Sequence, residues 1–461
     1  MNPLIFRAYD IRGVADRDLP DDVATAIGCA IGTLALDRGC KPVFAIGRDA
    51  RLSSPRIHAA LVRGIASTGI AVRDIGIVAT PMLYFAVHTL DVGGGAMITG
   101  SHNPAEDNGL KVMLGLGTLH GEDIQLVREM TAAGVFTVAA TPGEVQAVDI
   151  HTPYFAWLTS NIALGSRPLK VVVDCGNGPT GPISPRILQQ LGAEVTGLFT
   201  EPDGRFPNHH PDPTVEANLL DLRAAVLAQK ADLGIAYDGD GDRIGVLDEA
   251  GRVLWGDQLM IILSRALLAA APGAAIVGEV KCSQTLFDDI AARGGRPIMS
   301  KVGHSLIKQR MKDEQALLAG EMSGHIFYKH RYFGYDDATY TSCRLLEILS
   351  HHQGPLSSLL AGVPETFSTP ELRVHCPDDI KFAVVAAVTE RYKATHEVID
   401  IDGVRVKFSD GWGLVRASNT GPVLVVRCEA TSASARERIR AELTAAIAHA
   451  AGQPASPGGH G

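Results

Sequence analysis

None of the seven cysteines in this 461-residue chain stands in a C-x-x-C spacing, so neither a zinc site nor a disulfide framework is expected, and reduced thiols are. An apolar leader is missing as well: Met1 to Phe6 passes directly into Arg7, Asp10 and Arg12, which points away from export and towards a cytoplasmic location. The best candidate for a membrane span, Leu259 to Ile276, is broken by Arg265 and Pro272. Its residues Leu259, Ile262, Leu263, Ala266 and Leu267 recur at the spacing of one helix face, so a core-facing helix is expected there and no membrane. Net positive charge is lacking too. Lys plus Arg number 42 against 51 Asp plus Glu, and a formal charge of -9 has the wrong sign for non-specific nucleic-acid binding.

Apolar residues, by contrast, make up 46% of the chain and charged ones 20%, enough for several packed cores, and at about 150 residues per domain the length suggests three domains. One arrangement recurs three times: an apolar run, a glycine-rich or charged turn, an amphipathic stretch, a glycine and another apolar run. The copies begin at Pro42-Val-Phe-Ala-Ile46, Lys170-Val-Val-Val-Asp174 and Ala275-Ile-Val277. Strands alternating with helices imply βαβ units and largely parallel pairing. In each copy a further apolar run opens into a polar loop: Thr99-Gly-Ser-His-Asn-Pro104, Asp238-Gly-Asp-Gly-Asp-Arg243 and Gly320-Glu-Met-Ser-Gly-His325. Ligands in open α/β sheets gather at strand carboxyl ends, so these loops are expected to converge on one cleft. After about Pro364 the pattern changes to alternating strands, an Asp402-Gly403 hairpin turn and a terminal helix opening near Ser434, with Glu437 completing a capping box. The expected division is 1–147, 148–250 and 251–363 as α/β domains, 364–452 as an α+β domain, and 453–461 as a disordered tail.

Asp238, Asp240 and Asp242 alternate with glycines, so an extended segment sets three carboxylates on one side, where they repel unless a cation joins them. Oxygen ligands favour Mg²⁺ or Ca²⁺. Glu249 falls at the twelfth position of an EF-hand loop, but Arg243 occupies the sixth, where the turn needs glycine, which weighs against that reading. Ser101 follows a strand and sits between Gly100 and Pro104, without the G-x-S-x-G spacing of a hydrolase elbow. Lys111 stands ten residues on, at the other side of an Asn108-Gly109 turn across which it would swing back to the same cleft. Around the third loop Lys301, His304, Lys308, Glu321, Ser323, His325, Lys329 and Arg331 suit a ligand with hydroxyls and an anionic group. Arg416, Ser418, Asn419 and Thr420, ending at Gly421-Pro422, offer a guanidinium, hydroxyls and backbone N–H groups to a phosphate. Arg7 and Arg12, beside Tyr9 and Asp10, add cations together with Arg48 and Arg51, Arg48 and Asp49 being equally readable as an internal pair. Asn208-His209-His210-Pro211-Asp212, stiffened by prolines, reads as a structural loop rather than a second metal site.

The three polar loops and Arg416-Ala-Ser-Asn-Thr420 resemble, in order, the phosphoserine, metal, sugar and phosphate loops of the α-D-phosphohexomutase superfamily. Phe6-Arg-Ala-Tyr-Asp-Ile-Arg-Gly13, Gly303-His-Ser-Leu-Ile-Lys308 and the stretch from Lys329 to Asp337 resemble its bacterial phosphomannomutase/phosphoglucomutase branch. That resemblance implies three similar mixed-sheet α/β domains and a C-terminal α+β domain, TATA-box-binding-protein-like, around a central cleft. It also implies reversible interconversion of hexose 1-phosphate and hexose 6-phosphate by a monomer, through a phosphoserine and a hexose 1,6-bisphosphate. Mg²⁺ would be held by Ser101, Asp238, Asp240 and Asp242, with glucose 1,6-bisphosphate as activator. Lys111, His304 and Arg243 would act near Ser101, the general base lying open between Lys111 and His304, and His102 would flank the phosphoserine. Glu321 and Ser323 would bind sugar hydroxyls with Lys281 and His325 close by, and Arg416, Ser418, Asn419 and Thr420 would grip the distal phosphate, with Tyr9 and Arg12 at the cleft. Gly421 departs from the pattern, standing where a second threonine is expected. Met322 favours the mannose/glucose branch over the glucosamine branch. The alternatives are a phosphoglucosamine mutase, a metal-dependent sugar phosphatase and a non-catalytic sugar-phosphate sensor.

Overall fold

Runs of β-branched residues with both faces buried, such as Val171, Val172 and Val173, form the middles of three sheets. The computed structural model describes residues 1–418 and 421–452, so Asn419, Thr420 and the expected tail, 453–461, lie outside the described residues. In each sheet a central strand, Val43–Arg48, Lys170–Asp174 or Ala275–Glu279, has a parallel neighbour on both sides. These are Ala71–Ile77 and Gly94–Ile98, Glu194–Leu198 and Leu233–Tyr237, and Arg296–Ser300 and Leu318–Gly320. The crossover helices Ser54–Ser67, Ser184–Gln190 and Gln284–Ala292 fall within the three sequence copies. In each case the next strand turns back antiparallel: Asp107–Leu114, Ile244–Leu247 and Ile326–Tyr328. All three sheets are therefore mixed. Those turn-backs carry residues 99–106, 238–243 and 321–325, so one repeated step of topology delivers all three polar loops.

The fourth sheet is antiparallel. Phe367–Ser368 and Leu372–His375 both pair with Val423–Ala430, followed by Gly411–Ala417, Val404–Phe408 and Val398–Ile399. Helices Lys381–Lys393 and Ala433–Ala450 bury Val384, Val388, Ile439 and Leu443 against its Val406, Val415 and Leu424. Gly403 has φ +75° in the hairpin expected from Asp402-Gly403, a conformation that glycine adopts without strain.

Three local expectations need correction. The core-facing helix expected over 259–276 ends early: Gly256–Ala270 is helical, Pro272 and Gly273 (φ +77°) end it, and Ala275–Glu279 is the strand expected to open the third copy. The terminal helix is capped by Ser432, whose hydroxyl accepts from Ala435 N, and not by a Ser434–Glu437 box; Glu437 pairs with Arg436 and Arg440. Lys111 is not across a free turn from Ser101 but within the strand Asp107–Leu114, opposite Met97.

One apolar core runs through the first three sheets, joining Tyr84 and Phe85, Tyr154 and Val171, and Leu259, Leu345 and Leu346. Among the described residues, no helix is long and apolar enough to cross a membrane.

Candidate active site

Ser101 is 1% exposed and has φ +48°, a left-handed backbone that a non-glycine residue keeps only when its surroundings enforce it. Arg51 does the enforcing. Its buried guanidinium donates to the carbonyls of Ser101 (2.7 Å), Asn103 (2.6 Å) and Asp107 (2.9 Å), and also to that of Pro104. Asp49 lies against Arg51 and accepts from Gly100 N, while Thr99 Oγ1 accepts from Ser101 N at 2.8 Å. A side chain at Gly100 would collide with that guanidinium, its Cβ 2.5 Å away, so glycine is required there. With the loop held so, Ser101 Oγ donates to Asp238 Oδ2 at 3.0 Å and lies 3.2 Å from His102 Nδ1.

Asp238, Asp240 and Asp242 are fully buried. Asp238 Oδ1 accepts from Asp242 N and Arg243 N, both at 3.1 Å, which curls the segment into a tight loop; Gly241 takes φ +75°. Asp240 Oδ2 accepts from Thr80 Oγ1 at 2.6 Å and from Lys111 Nζ at 2.8 Å, and Lys111 also reaches Asp242 Oδ2 at 2.5 Å. Burial raises the Asp238 carboxyl well above its usual range, and the neighbouring Asp242 and Asp240 add to this. Burial would raise Asp240 as well, but Lys111 and Thr80 hold it below the ordinary carboxylate value. Desolvation opposes charge on Lys111, yet Asp240 and Asp242 overcome it and raise the ammonium well above the ordinary lysine value.

Asp240 Oδ1 and Asp242 Oδ1 are buried acceptors without a hydrogen-bond donor, and one oxygen from each aspartate lies within 4.8 Å of the others. Orphaned carboxylate oxygens converging without nitrogen or sulfur fit a hard divalent cation. The cluster is thus a metal-competent site. It is not an EF-hand: Glu249 accepts from Ser357 N and Oγ.

Beside this cluster Arg243 Nε donates to His325 Nε2 at 2.9 Å, and its Nη1 lies 3.5 Å from His102 Nε2. His304 stacks on His325 with ring centres 5.8 Å apart, and Tyr9 meets His304 edge-on at 6.1 Å. Burial lowers both His304 and His102 well below the usual histidine value, reinforced by Lys308 for the first and Arg243 for the second. Arg12 pairs with Asp10 at 2.6 Å and donates to Asn103 Oδ1 at 2.8 Å, which ties the N-terminal segment to the Ser101 loop.

Residues of the Ser101 loop, the aspartate loop and the 321–325 loop therefore meet. Comparison with protein families matches most of the chain. The models for phosphoglucomutase/phosphomannomutase alpha/beta/alpha domains I, II and III match residues 3–136, 152–251 and 255–367, and that for the C-terminal domain matches 371–446. The chain belongs to the phosphoglucomutase/phosphomannomutase family. It is 47% identical over 437 residues to a phosphomannomutase/phosphoglucomutase of Pseudomonas aeruginosa, covering 95% of this chain and 94% of that one. A phosphoglucomutase of Neisseria meningitidis serogroup A is 45% identical, with 96% of each chain covered. The crystal structure of a phosphoglucomutase/phosphomannomutase family protein from Burkholderia thailandensis superposes with a TM-score of 0.92 at 40% identity over 98% of each chain.

In this family member the remaining expected residues that the structure describes lie where the third sheet meets the fourth. Glu321 is buried and accepts from Gly303 N at 2.7 Å, and Ser323 is partly exposed in the same loop. Lys281 Nζ reaches Glu371 Oε2 at 3.1 Å. Arg416 Nε pairs at 3.0 Å with Asp402 Oδ2, which also accepts from Val302 N, the neighbour of Gly303. Ser418 accepts on its carbonyl from Lys381 Nζ at 2.7 Å. Arg331, by contrast, pairs with Glu347 at an exposed position, and His209 is held by Asp174, as suits a structural loop. Neither Thr80 nor Asp336 stands out in the sequence, where Arg51 reads only as an added cation. Each acts through contacts made by residues distant in the chain.

Proposed function

We propose that the chain reversibly interconverts the 1- and 6-phosphates of mannose and glucose, carrying the phosphoryl group on Ser101 through a hexose 1,6-bisphosphate. The observation that carries this reading is the 3.0 Å bond from a buried, left-handed Ser101 hydroxyl to a carboxylate of the metal-competent cluster. Dual sugar use is supported by the names of its relatives, which include both phosphomannomutase/phosphoglucomutase and phosphoglucomutase.

Asp238, Asp240, Asp242 and an oxygen of the serine would hold Mg²⁺, which when bound supplies positive charge opposite the transferring phosphoryl group. As the Ser101 Oγ–P bond breaks, a new O–P bond forms at the sugar hydroxyl, and the proton of that hydroxyl goes to a base. Lys111 and His304 are the two candidates. Lys111, held as an ammonium by two carboxylates, is poised to neutralise charge, whereas burial favours neutral His304, which has a ring nitrogen free of charge to accept. Arg243 stabilises the transferring group beside His102. Glu321 and Ser323 bind hydroxyls common to both orientations of the sugar, assisted by Lys281 and His325. Arg416, Ser418, Asn419 and Thr420 hold the far phosphate, with Tyr9 and Arg12 at the rim. The domains 1–147, 148–250 and 251–363 each supply one loop, and 364–452 closes over the bisphosphate to exclude water. The protein works as a cytoplasmic monomer with glucose 1,6-bisphosphate as activator.

Glucose 1-phosphate with Mg²⁺ and a trace of glucose 1,6-bisphosphate is expected to yield glucose 6-phosphate, and mannose 1-phosphate the corresponding product. Free phosphate as the main product would replace the mutase by a phosphatase. Intact-protein mass should show one phosphate on part of the purified enzyme, absent in Ser101→Ala together with nearly all turnover. Full activity in that variant overturns the phosphoserine.

A further inference from the structure

Asp336 lies on the short strand Tyr335–Asp336, opposite Phe327 in the pairing with Ile326–Tyr328, and is fully buried. Its Oδ2 is 2.9 Å from His325 Nδ1. The other ring nitrogen, Nε2, is 2.9 Å from Arg243 Nε. A guanidinium Nε always carries hydrogen and never accepts, so His325 Nε2 must offer a lone pair. The ring is then neutral with its one proton on Nδ1, the nitrogen that lies 2.9 Å from the Asp336 carboxylate. Hydrogen-bond accounting alone sets the tautomer.

The other neighbours of the ring and the carboxylate are consistent with this assignment. Asp242 Oδ1 also faces Nδ1, but from 3.6 Å, beyond hydrogen-bond reach. His304 and Phe327 cover the ring faces at 5.8 and 6.2 Å. On the far side of Asp336, Lys308 Nζ stands 3.5 Å from Oδ1, so the carboxylate lies between the imidazole, 2.9 Å from its Oδ2, and an ammonium. Arg243 is joined to the third-sheet loop through its backbone as well, by a bridge to His325 and by Ile244 N donating to Gly324 O at 3.0 Å.

We infer that Asp336 is a positioning residue for phosphoryl transfer: it fixes the Nδ1–H tautomer of His325, whose Nε2 then holds the Arg243 guanidinium against His102 and the Ser101 loop. The chain Asp336, His325, Arg243 begins in the third sheet and ends beside the nucleophile in the first. It uses an acid outside the expected metal and sugar sets. This inference rests on the mutase reading above.

The test uses the full-length enzyme with Asp336→Asn, close to isosteric, and Asp336→Ala. An amide can accept from only one side, so in Asp336→Asn either His325 or Lys308 meets a donor; in Asp336→Ala neither finds an acceptor. Expected in both are a fall in kcat of about 10- to 100-fold, little change in KM, and an unchanged Mg²⁺ requirement. Nitrogen NMR of ¹⁵N-histidine-labelled resting enzyme should show His325 losing its Nδ1–H signature in at least Asp336→Ala, with the melting transition still cooperative. A retained Nδ1–H signature in both variants, unchanged kcat, or a loss matched by a raised Mg²⁺ requirement overturns the inference. Wild-type enzyme that fails to isomerise hexose phosphates would instead remove the mutase reading, because the NMR signature needs no turnover.

Discussion

Arg51 shows how far a residue's role can lie from its appearance in the sequence. Among the arginines and lysines near the cleft it reads as one more cation for an anionic substrate, yet its guanidinium is buried and spent on backbone carbonyls of the Ser101 loop. The planar fork matters more than the charge. Arg51→Lys keeps the charge but cannot serve several carbonyls at once, so a loss of about 2–4 kcal/mol in urea unfolding is expected, with activity falling further than stability because Ser101 leaves its left-handed conformation. A melting curve like that of the wild type, with full turnover, would show the fork to be dispensable. By contrast, the three aspartates were legible at once, since alternation with glycine concentrates like charge in a single stretch. Asp336 was not, because its meaning depends on a histidine eleven positions earlier and an arginine in another sheet.

Among the secondary-structure elements, periodicity exposed the strands and crossover helices of all three copies. It failed where composition was uniform and punctuation decided the outcome. The 259–276 stretch is apolar on both sides of Pro272-Gly273, so one helix and a helix followed by a strand look alike until the break is weighed. Strand Asp107–Leu114 was hidden because Asn108-Gly109 imitates a turn; in the sheet Gly109 instead lies across from Arg12, and its missing Cβ leaves room for the carbonyl of Ile11, 2.1 Å from where one would stand. At the terminal helix the sequence offers two serines. Only Ser432 has the extended backbone of a cap and a hydroxyl on Ala435 N. Ser432→Ala is therefore expected to destabilise the protein by about 1 kcal/mol, and Ser434→Ala by no more than a few tenths, in matched denaturant titrations. Equal effects would return the cap to Ser434.

Across the whole molecule, the four divisions were within reach of sequence reasoning; how the fourth division attaches was not. The first three sheets share an apolar core, whereas the fourth meets the third through a small apolar cluster, Val280 with Trp412 and Leu414, together with buried polar groups. Arg405 lies 3.7 Å over the Trp412 ring and donates to Val280 and Cys282 carbonyls, while Glu429 accepts from Ser283 Oγ and Trp412 Nε1. Such contacts depend on partners that no local pattern links. Arg405→Ala should weaken this junction by about 2–4 kcal/mol, separating an early calorimetric transition for the fourth division from the main one and raising KM more than it lowers kcat. A single unsplit transition with unchanged KM would count against that account. The packing of Gly239 has a different consequence. A Cβ there would sit 2.3 Å from the Ser101 carbonyl, so the aspartate loop closes directly on the serine loop, and Ile244 in turn joins the loop that follows Glu321. No single domain owns the reactive centre. Under the proposed mechanism, a chain that has folded only its first domain therefore presents Ser101 without the aspartates or the 321–325 loop, and the centre is complete only after the third domain has emerged and docked.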